Sequence, residues 1–268
     1  MYRVLITIHC APAWLHQLIF MSTDKNLISR LFEAGSHFGF KKSRRHPTVT
    51  NYLYTTKDGS DVIDLEKTSA SLIAAKEVIK EAGSLGKVVM FVGTKDEASK
   101  AVRAAAEEAE VPFVTNRWIG GMLTNFSEMK KRINRLETLN QEKESGELER
   151  KYTKKERVVI GRERDKLTFN FEGLSKLTKL PDLMVVVDPR HDHIAVAEAT
   201  DKNVPVMALM GTDGDASPIK YPIIANDSLT ASVSLVMKEL VAAYTEGKAA
   251  FVPKPAEEKP TRTPRPRA

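Results

Sequence analysis

Three continuous apolar runs leave this chain few folds to choose from: Val88-Val89-Met90-Phe91-Val92, Leu183-Met184-Val185-Val186-Val187 and Val204-Pro205-Val206-Met207-Ala208-Leu209-Met210. A strand with one wet face alternates polar and apolar residues, whereas an unbroken run is what a strand shows when both its faces are covered. The first run is followed by an alanine-rich helical stretch over residues 94–110, and a helical stretch over 193–203 separates the second from the third. Strands alternating with helices in this way imply a parallel sheet with helices on both faces, a Rossmann-like α/β layer.

The remaining segments fit around that layer. Residues 1–20 hold an apolar run broken by His9, Pro12 and His16, a poor secretory signal and a poor spanning helix, and we expect an upstream extension with the functional chain starting at Met21. Ser22-Thr23-Asp24 has a helix-capping composition before the helical spacing of Leu27, Ile28, Leu31 and Phe32, and Gly35 and Gly39 mark the turn after it. A basic loop follows, with Lys41, Lys42, Arg44 and Arg45 inside five positions and no acid among them. Phosphate contact and a plain solvated charge run explain it equally well.

Residues 52–56 and 61–65 read as two strands around the turn Asp58-Gly59, and residues 69–82 as an amphipathic helix. With residues 87–93, 94–110 and 111–115 the order is β-α-β-α-β. The stretch 116–126, Asn-Arg-Trp-Ile-Gly-Gly-Met-Leu-Thr-Asn-Phe, is then a joint. From the residue types alone Trp118 reads as a core anchor and Gly120-Gly121 either as a plain turn or as a joint that sets the direction of exit, with Arg117 beside them and Asn125 before the next helix.

From 127 to 179 about half the residues are charged, with Met129, Ile133, Leu136 and Leu139 forming one narrow apolar stripe. A turn at Ser145-Gly146 makes this an antiparallel coiled-coil hairpin inserted between the two parts of the α/β domain, residues 21–126 and 180–247. Residues 221–225 read as a last, edge-like strand, and Asp227 as the cap of a closing helix. Residues 248–268, rich in proline and basic side chains, are expected to be a disordered tail.

Candidate chemistry is sparse. One cysteine, Cys10, excludes a disulfide framework and a multi-cysteine zinc site. Gly93-Thr94-Lys95 lies between strand and helix, where backbone N–H groups and Lys95 can hold a phosphate, but the full glycine patterns of dinucleotide and P-loop sites are absent. Asp188, His191 and His193 are the best metal or acid–base candidates, yet spacing names no third ligand beside the histidines, and a helix-start hydrogen-bond network explains them as well. The net charge of +6 favours an anionic partner.

Five ordered motifs carry a resemblance. Leu31-Phe32-Glu33-Ala34-Gly35-Ser36-His37-Phe38-Gly39, Ile63-Asp64-Leu65-Glu66-Lys67-Thr68, Phe91-Val92-Gly93-Thr94-Lys95, residues 117–126, and residues 181–205 resemble, in this order, the bacterial family of the second protein of the small ribosomal subunit. The likeness covers residues 27–247 and implies a flavodoxin-like parallel α/β fold with a protruding coiled-coil hairpin. It implies a structural, non-catalytic component of the cytoplasmic ribosome, with no cofactor, no membrane and no DNA. Its implied partners are small-subunit ribosomal RNA and neighbouring proteins, including the messenger-binding ribosomal protein number one. Lys41, Lys42, Arg44, Arg45, Lys95 and Arg117 are then the expected RNA contacts, by phosphate neutralisation and shape. Phe40, where many relatives carry a histidine, and the loop 211–220 depart from the family pattern and weaken a metal site. The competing readings are an α/β enzyme or binding protein for a phosphorylated small molecule, and a free coiled-coil adaptor.

Overall fold

The computed structural model describes residues 25–251. The expected extension 1–20, the capping residues Ser22 to Asp24 and the tail from 252 onward lie outside the described residues.

Helix α1 (Lys25–Glu33) leads through Gly35, at φ 70°, into a small antiparallel sheet of β1 (Phe38–Lys41), β2 (Leu53–Lys57) and β3 (Ser60–Ile63), in the order β1-β3-β2. The β2–β3 hairpin turns at Asp58 and Gly59, both at positive φ, as a two-residue turn matched to the strand twist requires. Two expectations change here. Phe40 and Lys41 belong to a strand rather than a loop, with Lys42–Arg44 in a single 3-10 turn after it. The strand read at 61–65 pairs within this small sheet and is not the first member of the parallel layer.

The main body then follows as α2 (Leu65–Ser84), β4 (Val89–Val92), α3 (Asp96–Ala109) and β5 (Phe113–Val114). After the joint come α4 (Phe126–Glu144), the short α5 (Glu147–Lys151) and α6 (Lys154–Phe171). The layer resumes with β6 (Leu183–Val187), α7 (His193–Asp201), β7 (Val206–Met210), β8 (Tyr221–Ile224) and α8 (Thr230–Ala249). Every pairing among β5-β4-β6-β7-β8 is parallel. Taken in chain order these strands lie second, first, third, fourth, fifth, the flavodoxin-type arrangement, with β8 at the expected edge.

Strands β4, β6 and β7 are buried along their whole length because alternate residues enter different cores. Val89, Phe91, Val185, Val187 and Leu209 join α2, α3 and α8 on one face. Met90, Val92, Met184, Val186 and Ala208 face α7, the joint and the base of α4 on the other. Along α4 the stripe Met129, Ile133, Leu136 and Leu139 is buried, and Arg135 stands 3.5 Å from Glu163 of α6.

Helix α8 begins after Leu229 with no side-chain cap, so Asp227 does not cap it and is drawn instead toward Lys95. The helix also continues past Gly247 to Ala249. Its crossing with α2 depends on two glycines. A Cβ at 247 would stand 2.1 Å from the Lys80 carbonyl oxygen, and one at 83 would stand 2.7 Å from that of Tyr244. Backbone cannot rotate away as a side chain can. We expect Gly247→Ala to cost about 1–3 kcal/mol by overpacking and to lower Tm by about 2–4 °C per kcal/mol in a thermal melt. Gly161→Ala in α6, where a Cβ meets nothing within 4 Å, is expected to gain about 0.5–1 kcal/mol.

Candidate functional site

The strand order reverses between β4 and β6, and an open parallel sheet forms its ligand crevice outside the carboxyl ends of its strands at such a point. The loops meeting there are Gly93-Thr94-Lys95 and residues 188–193, so the sequence candidates Lys95 and Asp188 are brought together. The crevice is filled by the chain's own groups. Thr94 donates its backbone N–H to Asp192 at 3.1 Å and its hydroxyl to the same carboxylate at 2.6 Å. That N–H is one a phosphate at this helix start would use. The Lys95 ammonium lies 3.0 Å from Asp188, 3.5 Å from Asp227 and 3.2 Å from the Ser228 hydroxyl. Gly93 serves packing: a Cβ there would stand 2.7 Å from Val102 of α3.

The charges inside this cluster bias one another. Burial alone would lower the Lys95 ammonium, but Asp227 and Asp188 outweigh it and hold it above its usual value. Burial, reinforced by Asp188 and Asp213 and opposed by Lys95, pushes Asp227 up to about 6. Burial likewise raises Asp192, against the two bonds from Thr94.

The metal candidates do not assemble. Asp188, at φ 61°, accepts the His191 backbone N–H at 3.2 Å and pairs with Lys95. His191 and His193 are exposed. His193 lines an open cavity of about 570 Å³ with His46, Arg190, Asp213 and Asp215. Among the described residues no three His, Cys, Asp or Glu side chains are grouped to hold a metal.

The basic cluster is split by what each cation faces. Arg45 takes both oxygens of buried Asp61 and also reaches Thr56. That pairing holds the Asp61 carboxyl below its usual range. Arg44 packs over Phe40, 4.5 Å from the ring centroid, and meets Asp213 at 2.8 Å. Arg190 shares that carboxylate. Lys41 and Lys42 are exposed and hold no ion pair among the described residues, and the same is true of Arg117.

At the joint the anchoring side chain is one the sequence reading missed. Glu198 of α7 is buried, and its carboxylate accepts the Trp118 indole N–H at 3.1 Å. It also accepts the backbone N–H groups of Gly121, Leu123 and Thr124 at 2.8, 2.9 and 3.0 Å, and the Thr124 hydroxyl at 3.1 Å. Burial pushes this carboxyl up, but those bonds outweigh it and hold it below its usual value. Only one of the two glycines is conformationally required. Gly121 sits at φ 95°, whereas Gly120 is exposed with open space about it. Asn125 precedes α4 without a side-chain cap bond. Nothing in the local pattern around Glu198, a glutamate in an ordinary helix, points to partners 74 to 80 residues away.

Comparison with known proteins adds an independent observation. A family model described as ribosomal protein S2 matches residues 31–247. The small ribosomal subunit protein uS2 of Helicobacter hepaticus is 39% identical over 218 residues, covering 81% of this chain and 82% of that protein. That of Dictyoglomus thermophilum is 39% identical over 222 residues, covering 83% and 90%. That of Mycobacteroides abscessus is 37% identical over 220 residues, covering 82% and 79%.

Glu198→Ala orphans several buried donors at once, each worth about 1–3 kcal/mol. Urea denaturation is expected to show a loss of at least about 3 kcal/mol, and a loss below about 0.5 kcal/mol would remove Glu198 from the joint. Asp227 predicts a pH effect of opposite origin. An unfolded aspartate releases its proton near 3.9, whereas the folded one keeps it to about 6. Folding therefore takes up a proton between these values, and stability falls as pH rises through that window, by up to roughly 3 kcal/mol. Asp227→Asn lacks the effect, so its Tm relative to the unsubstituted chain is expected to climb from pH 4 to 6.5 and then level off.

Proposed function

The chain belongs to the ribosomal protein S2 family, and from that premise we propose that it docks on small-subunit ribosomal RNA through the cations its own fold leaves unpaired. It is a structural constituent of the small ribosomal subunit and not an enzyme. The observation that carries this is the family match, which spans the joint and the whole parallel layer. The crevice geometry supports it, since Asp192, Asp188 and Asp227 occupy the groups that a phosphorylated ligand would need.

In this reading Lys41, Lys42 and Arg117 meet phosphates, with Arg44 able to contribute from its exposed position beside Asp213. Arg45 and Lys95 support the fold instead, because carboxylates already neutralise them. Residues 127–179 form an inserted helical arm on a body made from residues on either side of it. The proteins it adjoins in the particle include the messenger-binding ribosomal protein number one, and its place is the ribosome of the cytoplasm.

Sucrose-gradient sedimentation tests the reading. The protein is expected in small-subunit fractions at low salt, and its absence there would refute docking. Replacing Lys41, Lys42 and Arg117 with alanine is expected to weaken binding and make its salt dependence shallower by about 0.7–0.9 in slope per lost phosphate contact. Arg45→Ala is expected instead to lower thermal stability, since it leaves buried Asp61 without its guanidinium.

A further inference from the structure

A groove beside the basic cluster is left open by the fold. The cavity of about 570 Å³ runs along α7 from His193, its first residue, to Asp201, its last, with residues 213–218 as the other wall. Pro189, Val196, Ala197 and Pro218 give it an apolar lining, and the imidazoles of His46 and His193 add two flat rings. Its charges are unevenly matched. Asp213 is already shared by Arg44 and Arg190. Asp215 has only His46 within ion-pair reach, at 3.7 Å, and Asp201 holds no ion pair among the described residues. Two exposed carboxylates beside an apolar groove favour an occupant that joins cations to rigid apolar groups.

The chain carries such a segment within reach. Helix α7 follows β6 and precedes β7, so it runs back across the sheet and brings Asp201 to the edge where β7 begins. The last described residue, Phe251, lies at that same edge: a Cβ at Gly86, just before β4, would stand 2.7 Å from its ring. Strands β4 and β7 are two strand spacings apart, about 10 Å. Helices α8 and α7 cover opposite faces of the sheet, and passing from one layer to the other adds about 20 Å. Residues 252–263 reach roughly 37 Å in a polyproline II conformation. The next four residues are Pro264-Arg265-Pro266-Arg267, and no acidic side chain follows Glu258.

We propose that Pro264-Arg265-Pro266-Arg267 docks in this groove of its own chain, with the two pyrrolidine rings against the apolar lining and the two guanidinium groups paired with Asp201 and Asp215. Proline-rich segments suit such a site because their extended form is set in advance and little freedom is lost on docking. A segment without a core of its own is ordered by a contact of this kind. Each exposed ion pair contributes only about 0.2–1 kcal/mol. The tether makes that sufficient, since a short flexible linker holds the segment at an effective concentration on the order of millimolar. The contact closes the groove and keeps Arg265 and Arg267 from other anions. It needs no RNA, so it stands apart from the docking reading above.

The test uses the full chain in the absence of ribosomal subunits. A photo-crosslinking amino acid in place of Ala268, next to the docked segment, is expected to join peptides within 189–201 or 213–218 in a product of monomer mass. Asp201→Asn with Asp215→Asn is expected to lower that yield at least about threefold, and added salt to lower it as well. Ala197→Trp, at an exposed position on the groove, is expected to abolish the product while the thermal melt stays unchanged. Crosslinks confined to other surfaces, or a yield that both variants leave unchanged, would refute the contact. A product of twice the chain mass would make a second copy the partner and overturn docking within one chain.

Discussion

The buried carboxylate of Glu198 holds the two parts of this protein in register. It sits on α7, between two central strands, and gathers five donors from the turn through which the chain leaves the sheet. An isolated carboxylate in such a place would be costly, by several kcal/mol. Surrounded by convergent N–H and O–H groups it becomes the anion in a backbone nest, and the turn it binds can adopt few other shapes. Trp118, Met122, Leu123 and Met129 then bury into the same core as Met90, Val92 and Val186. The base of the arm is therefore an outgrowth of the sheet's core. On the return path Gly173 lies so close to β5 that a Cβ there would stand 2.3 Å from the Phe113 carbonyl oxygen. Both ends of the arm are thus tied down, and its direction is set by packing.

A second constraint explains why a fold that usually carries a ligand crevice has become a docking body. At the switch point, the donors are taken by carboxylates from neighbouring loops: Asp192 on Thr94, Asp188 and Asp227 on Lys95. Two acids share one lysine, and burial, with the charges of Asp188 and Asp213, keeps Asp227 protonated to a higher pH than a free aspartate. Displacing either partner of such a pair leaves a largely buried charge uncompensated. The crevice holds loops together instead of holding a substrate.

The parts of this structure legible in the sequence are those fixed by local pattern. The runs at 88–92, 183–187 and 204–210 became central parallel strands because burial on both faces leaves no polar position to confuse the reading. Asp58-Gly59 gave the hairpin because its turn needs positive φ at both positions. Strand β1 was hidden: its outer residues Phe38 and Lys41 are exposed, its pairing register is irregular, and its cations read as loop. Asp227, Asp61 and Glu198 were illegible for one shared reason. Each is an ordinary acid in its own neighbourhood, and its meaning comes from a partner that only the fold brings near. Gly120 and Gly121 look equivalent in sequence, and only the backbone angle at Gly121 separates them.

Net charge needs the same correction. A surplus of +6 says that an anionic partner suits the whole chain, but it does not say where. One of the four cations in the basic cluster spends its charge inside the fold, Arg45 on a buried aspartate, while exposed Arg44 shares Asp213 with Arg190. The cations able to act at a distance are those the fold has not already neutralised, among them Lys41 at the end of β1, Lys42 just after it and Arg117 at the joint.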